Sequence, residues 1–262
     1  MIKAVFFDID GTLVPFKSHS VPESTRRAIH EIRVKGVKVF ICTGRPIQFI
    51  DNLEGVEYDG MVTVTGALCI DAEGHIISYK YIPRNNVESL LEYLKPQMNP
   101  TPFMAVAKDK MYANNLDRED VLDIVKFLNV PNLNYLPLEE ALNDDILQLI
   151  GFFREDEEVF LKKNVLKDCN PMRWHELFAD VVAGNVSKSA GIDAMIDHYG
   201  IDLSETMAFG DGGNDILMLD HVAIGIAMGN AGDKVKEHAD YITDDADKDG
   251  ILHALQYFGL LE

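Results

Sequence analysis

The chain has too few cysteines for a covalent frame and too few basic residues for a polyanion partner. Only Cys42, Cys69 and Cys169 occur in 262 residues. They are odd in number, widely spaced and set in apolar context, which excludes a disulfide scaffold and a zinc site. They read as buried free thiols in a reducing, cytoplasmic setting. Lys and Arg number 24 against 43 Asp and Glu, a formal net charge of −19. A field of that sign repels phosphate backbones and anionic membranes, so neither nucleic acid nor a membrane is an expected partner. No apolar run approaches the length of a membrane span, and the first one reaches Asp8 too soon for a signal-peptide core. There is no Gly-x-x-x-x-Gly-Lys-Ser/Thr loop and no Gly-x-Ser-x-Gly elbow, which removes P-loop and serine-hydrolase chemistry. With 47% hydrophobic and 26% charged residues, what is left is an ordinary globular protein, long enough for one large α/β domain or two smaller ones.

What is present begins with Val5-Phe6-Phe7-Asp8-Ile9-Asp10-Gly11-Thr12-Leu13. The apolar run reads as a buried strand, and its period of two sends Asp8 and Asp10 the same way at the carboxyl end. Two carboxylates so placed repel and raise one another's pKa unless a cation lies between them, so the pattern points to a metal site with one carboxylate free to react. The plain alternative is a pair of solvated acids at a strand end.

A strand–helix rhythm follows. A helix is expected over Pro22 to Lys35, a strand over Val37 to Cys42, a helical stretch around Ile47 to Leu53 and a strand over Gly60 to Val64, which implies parallel pairing. The rhythm then breaks into a hairpin (Ala67 to Asp71, Ile76 to Ile82). Next come helices at Val87 to Leu94, Glu119 to Leu128 and Glu155 to Lys163, with strands near 103–106, 111–113, 146–153, 172–174 and 180–182. From Ser187 it resumes, with a helix to Tyr199, strands at 207–209 and 222–226, a helix from Asp215 and a closing helix near Gly250 to Phe258. The expected architecture is α/β, a Rossmann-like parallel-sheet core from residues 1–83 and 184–262, with an inserted α+β cap over 84–183.

Three further segments carry chemistry. Cys42-Thr43-Gly44-Arg45 ends the second strand with a hydroxyl and a glycine that suit a phosphate, or is an ordinary strand-to-helix turn. Arg45 is either a surface charge or a fork for a substrate oxygen. Lys188 opens a helix, where its charge opposes the macrodipole unless an anion binds there. Gly210-Asp211-Gly212-Gly213-Asn214-Asp215 is a glycine-rich turn whose Asp211 and Asp215 offer hard oxygen ligands suited to Mg²⁺. Asp215 also reads as a simple N-terminal helix acid.

Taken in order, these four segments resemble the four motifs of the haloacid dehalogenase-like phosphatases. The Gly-Asp-Gly-Gly-Asn-Asp turn is similar to that of the Cof-like sugar-phosphatase branch, whose large cap lies between the second and third motifs. Two positions depart from that branch, Thr65 where Asn is frequent and Ser189 where Gly is. The resemblance implies a Mg²⁺-dependent phosphomonoester hydrolase acting on sugar phosphates through a phospho-aspartate, with Asp8 as nucleophile and Asp10 as general acid and base. It implies Mg²⁺ on the Asp8 carboxylate, the Asp10 backbone carbonyl and Asp211, with Asp215 orienting that shell or steadying Lys188. Thr43, Gly44, Lys188 and Asn214 would then bind the phosphoryl oxygens. The cap is expected to set the substrate, with Arg45, Arg173, Trp174 and His175 as candidates to meet a sugar. The expected partner is a small phosphate ester, and the expected state a monomer or weak homodimer. The competing readings are a phosphomutase, a nucleotide or cofactor phosphatase, and a phosphosugar-binding regulator without turnover.

Overall fold

The computed structural model describes the whole chain except His19, Pro96, Asn99 and residues 128–133, together with the side chains of Val125, Phe127 and Trp174. It divides into two compact units, Met1–Tyr79 with Ser187–Glu262, and Lys80–Val186.

The first unit starts from a strand buried on both faces. Along β1 (Ala4–Phe7), Val5 and Phe7 enter one apolar layer and Ala4 and Phe6 the other, the alternation a parallel strand between two helical layers requires. The chain continues through α1 (Glu23–Val34), β2 (Lys38–Cys42), β3 (Gly60–Thr63) and the hairpin strands β4 (Leu68–Asp71) and β5 (Ile76–Tyr79).

The second unit holds α2 (Arg84–Leu94), β6 (Phe103–Val106), β7 (Met111–Asn114), α3 (Glu119–Phe127), β8 (Leu136–Pro137), β9 (Gln148–Gly151), α4 (Glu155–Asn164), β10 (Cys169–His175) and β11 (Phe178–Ala183). Its sheet runs β10-β11-β9-β6-β7-β8, antiparallel except between β7 and β8. Phe103, Ala105, Leu149 and Val181 of one sheet face cluster with Leu90 and Leu94 of α2 and Leu161 of α4. This is the α+β arrangement expected of the insert.

The first unit then resumes with α5 (Lys188–Tyr199), β12 (Thr206–Gly210), α6 (Ile216–Leu219), β13 (Ile224–Ala227), α7 (Asp233–Lys236), β14 (Tyr241–Ile242) and α8 (Gly250–Tyr257). Its sheet order is β14-β13-β12-β1-β2-β3-β4-β5, parallel from β14 to β3. The Rossmann-like parallel core is therefore present, with β1 at its centre. Residues of α1 and α8 share one layer with Val5 and Phe7, and residues of α5 and α6 share the other with Phe6 and Phe40. Phe6 stacks on Phe40 and Phe7 on Phe209, with ring centroids 4.9 Å apart in each pair. Burying one such ring contributes about 2–3 kcal/mol.

Several elements differ from the sequence expectation. The helix expected at Ile47 to Leu53 is a single 3₁₀ turn, Ile47–Phe49. The carbonyl of Phe49, which a continuing helix would use, accepts instead from Arg45 Nη1 at 2.8 Å. The helix from Asp215 is one turn, Ile216–Leu219, after a 3₁₀ turn at Gly213–Asp215. Val222 still donates back to Met218, so the next strand starts at Ile224, not Val222. The two-residue strand β14 and the one-turn helix α7 are too short for periodicity to reveal. Residue 128, the expected end of α3, lies outside the described residues.

Candidate active site

The loops after β1, β2 and β12 leave the carboxyl edge of the parallel sheet, where open α/β folds bind ligands. Asp8 continues the alternation of β1 on the side of Phe6, which faces α5. Lys188, the first residue of α5, is 1% exposed. Its Nζ donates to Asp8 Oδ1 and to Asp215 Oδ1, each at 2.6 Å. The α5 N-terminus is capped by Ser187, whose Oγ accepts from the Ala190 N–H. It sits hard against the turn after β3, where Gly66 has φ +101° and a Cβ would come 2.1 Å from the Ser187 carbonyl oxygen. The macrodipole cost read for Lys188 is thus offset by two carboxylates of the protein itself.

Asp215 closes the glycine-rich turn. Its Oδ2 accepts from the Asp211 and Gly212 N–H groups at 3.0 and 2.9 Å, while Oδ1 takes Lys188. Asp211 Oδ1 accepts from the buried Thr12 hydroxyl at 2.9 Å. Asn230 Nδ2 donates to the Gly11 carbonyl at 2.8 Å and reaches Asp211 Oδ2 at 3.4 Å. Gly11 has φ +78°, and a Cβ there would overlap Asp211 Oδ2 at 2.1 Å. Only glycine lets the first loop pass this close to Asp211.

Ligand oxygens of Asp8, Asp211 and Asp215 lie within 4.8 Å of one another, all buried. One ammonium against three carboxylates leaves negative charge unbalanced. Burial, then Asp215, push Asp8 well above the usual carboxylate range, against the pull of Lys188. Burial and Asp215 likewise push Asp211 up to about 7. Burial opposes the charge on Lys188, but Asp215 and Asp8 more than offset it and hold the ammonium protonated. A cluster of hard oxygens with surplus negative charge and an unmet need for a cation fits Mg²⁺. With both Asp215 oxygens taken by Lys188 and two backbone N–H groups, Asp8 and Asp211 are the side chains left to hold it.

Asp10 does not join this cluster. Its carboxylate is 41% exposed and gripped by Arg45, with Nε–Oδ2 at 2.7 Å and Nη2–Oδ1 at 2.6 Å. Arg45, expected to meet substrate, is thus committed to Asp10 and to the Phe49 carbonyl. Thr43 is buried, and its Oγ1 accepts from the Arg45 N–H at 3.1 Å, keeping its own hydrogen to donate. A side chain at Gly44 would stand 3.5 Å from Thr65 Oγ1 and 3.7 Å from Asn214 Nδ2, so these groups converge on one bare patch of backbone. The backbone is strained there, because Val64 and Thr65 are both buried, β-branched and left-handed, at φ 51° and 58°.

The cap candidates fare differently. Arg173 ion-pairs with Glu158 at 2.6 Å, donates to the His175 and Glu176 carbonyls and lies over the Phe153 ring. His175 stacks on Phe178, and its Nδ1 accepts from the Leu177 N–H. Both belong to the internal structure of the cap unit. The side chain of Trp174 lies outside the described residues. The three cysteines are buried and form no disulfide, and among the described residues no helix is long and apolar enough to cross a membrane.

Sequence reasoning missed Thr12 and Asn230. Thr12 is next to a glycine already singled out, and Asn230 follows β13, the next parallel strand along the same edge. The signal available was position, since any polar residue just past such a strand reaches this edge.

The family profile described as haloacid dehalogenase-like hydrolase matches residues 5–255. YkrA of Bacillus subtilis (strain 168), a protein provisionally named a phosphatase, is 35% identical over 99% of both chains. The solved structure of BT4131, described as a subclass IIB sugar phosphatase, is 41% identical over 99% of this chain and all of its own, with a TM-score of 0.88. That of the phosphatase BT1666 from Bacteroides thetaiotaomicron is 34% identical over all of this chain and 96% of its own, with a TM-score of 0.91. The order and convergence of the four motifs and these likenesses agree: the chain belongs to the haloacid dehalogenase-like hydrolases, among that family's phosphatases.

Proposed function

We propose that the chain is a Mg²⁺-dependent phosphomonoester hydrolase for small phosphorylated metabolites, sugar phosphates first, working through a phospho-aspartate on Asp8. The observation that carries this reading is the buried Asp8 carboxylate, held by Lys188 beside Asp211, with Asp10 two residues on and outside the cluster. The Asp8 oxygen not held by Lys188 attacks phosphorus, and the ester oxygen leaves with a proton from Asp10. Asp10 then takes a proton from water, which attacks the acyl phosphate, releases inorganic phosphate and restores Asp8. Both Asp10 oxygens are occupied by the Arg45 fork, so proton transfer requires one of them to be released from it. Lys188 has three N–H donors and spends two on Asp8 and Asp215, leaving one for a phosphoryl oxygen. The Thr43 hydroxyl, the Gly44 backbone and the Asn214 amide supply the other donors. Asp8, Asp211 and the Asp10 backbone carbonyl would hold Mg²⁺, which supplies charge neutralisation at the transferring phosphoryl group. The sugar-phosphatase description of BT4131 supports the substrate class, and three buried cysteines, none in a disulfide, support a reducing, cytoplasmic setting.

The test is phosphate release from a panel of sugar, nucleotide and cofactor phosphates, with Mg²⁺, with EDTA and with Asp8→Asn. Mg²⁺-dependent release that vanishes in Asp8→Asn is expected. No release from any ester by folded, Mg²⁺-loaded protein would overturn the reading.

A further inference from the structure

One side chain outside the four motifs reaches from strand to strand along the carboxyl edge of the parallel sheet. Asn230 stands on the turn after β13, which lies between β14 and β12, with β1 next beyond β12. Its Nδ2 donates to the Gly11 carbonyl, after β1, at 2.8 Å and reaches Asp211 Oδ2, after β12, at 3.4 Å. Its Oδ1 accepts from the Ala246 N–H, after β14, at 2.9 Å. A single amide thus ties together the loops of four neighbouring strands. Its partners fix which way it faces, since a carbonyl and a carboxylate accept while an N–H donates. Asn230 is exposed, with water at hand, yet the donor and acceptor ends of its amide both turn to the protein.

The turn that carries Asn230 is itself held fixed. The Met228 N–H donates to the Gly210 carbonyl and the Gly229 N–H to the Asp244 carbonyl, each at 3.0 Å. Lys236 Nζ donates to the Gly229 carbonyl at 2.6 Å. Asn230 therefore reaches out from a rigid base. Thr12 holds Oδ1 of the Asp211 carboxylate and Asn230 approaches Oδ2, so one donor stands at each oxygen and each keeps a lone pair for a cation. Through Gly11 the same amide pins the backbone next to Asp10, whose carbonyl is assigned to Mg²⁺ above.

On that Mg²⁺-dependent reading, we propose that Asn230 is a positioning residue for the metal site: it sets Asp211 and the Asp10–Gly11 backbone before the cation binds. Loss of a group that orients metal ligands shows first in metal affinity. At saturating Mg²⁺ binding itself holds the ligands in place, so turnover recovers. The experiment titrates native protein and Asn230→Ala with Mg²⁺ at pH 8 by calorimetry, then follows phosphate release from the best ester against Mg²⁺ concentration. Asn230→Ala should weaken Mg²⁺ binding by about 10–100-fold and raise the half-activating Mg²⁺ concentration by the same factor. At saturating Mg²⁺, kcat and the KM for the ester should remain those of the native protein. A merely structural residue would lower Tm in EDTA and leave Mg²⁺ affinity unchanged, which would overturn the proposal. So would a loss of kcat that saturating Mg²⁺ does not restore. Asn230→Leu, which keeps bulk without hydrogen bonds, replaces the alanine variant if that one does not fold. Failure of both to fold would make Asn230 a residue of the fold and overturn the proposal. Native protein that binds Mg²⁺ but hydrolyses no ester would overturn the phosphatase reading, while the calorimetric comparison still decides this one. Native protein that hydrolyses esters but binds no Mg²⁺ would overturn this proposal and leave a phosphatase without its metal.

Discussion

Arg45 grips Asp10 through two parallel hydrogen bonds, Nε to Oδ2 at 2.7 Å and Nη2 to Oδ1 at 2.6 Å. An ammonium cannot reproduce that fork. Arg45→Lys should therefore lower kcat about tenfold by leaving Asp10 poorly aimed, while Asp10→Asn, which removes the acid itself, should lower it about 10²–10⁴-fold. If Arg45 acts through Asp10, the double variant will be no slower than Asp10→Asn alone. Additive losses in that cycle would give Arg45 an independent role.

Lys188 neutralises two buried carboxylates, Asp8 and Asp215. Lys188→Met should destabilise the fold by about 3–5 kcal/mol, the cost of leaving buried charge unpaired. Adding Asp215→Asn, which removes one of those charges, should recover part of the loss. Urea unfolding of both variants measures this, and a loss below about 1 kcal/mol for Lys188→Met would contradict it.

Asp211, raised to about 7, links metal to pH. Without metal the folded protein keeps a proton that the unfolded chain, with an ordinary carboxylate near 4, releases. Stability contributed by that protonated group is therefore present below about pH 4 and lost as pH rises through about 7. Mg²⁺ displaces the proton, so the rise in Tm on adding Mg²⁺ should be larger at pH 8 than at pH 5. Thermal unfolding in Mg²⁺ and in EDTA at both values decides it, and an equal gain at both would detach the metal from this cluster.

Asp59 behaves in the opposite sense. Burial alone would raise its pKa, but Arg33, the Val39 N–H and Lys38 prevail and hold it below the usual range. Arg33 Nε, Lys38 Nζ and the Val39 N–H reach it at 3.1, 2.9 and 3.0 Å. A lowered pKa gives stability that is present above the unfolded value, about 4, and is lost as pH falls through the folded one. Asp59→Ala should cost about 2 kcal/mol at pH 7, and the penalty should shrink below pH 4. A penalty independent of pH would assign the effect to packing.

The parallel core was legible because continuous apolar runs and the Asp residues at their carboxyl ends are local signals. Asp8, Asp10 and the Gly-Asp-Gly-Gly-Asn-Asp turn could be read without knowing what they touch. Arg45 could not, because its partner lies 35 residues earlier, and the same side chain ends the helix expected after it by taking the Phe49 carbonyl. Arg173 looked available only because Glu158, which neutralises it, is on a different element.

Thr12 and Asp211 touch across 199 residues of chain, and β1 pairs with β12 in the same sheet. This separation has a consequence during synthesis. The strand that carries Asp8 leaves the ribosome well before β12, and at roughly 5–20 residues per second it waits at least ten seconds or so for that partner. Until then β1 has β2 beside it and an open edge, and Asp8 lacks Lys188, Asp215 and Asp211 together. The cap segment, which lies wholly between, is translated first and has an apolar cluster of its own to fold around. A chain stalled before α5 therefore lacks every partner of Asp8 in the carboxylate cluster, and the segments from Lys188 to Asp215 assemble it in one late step.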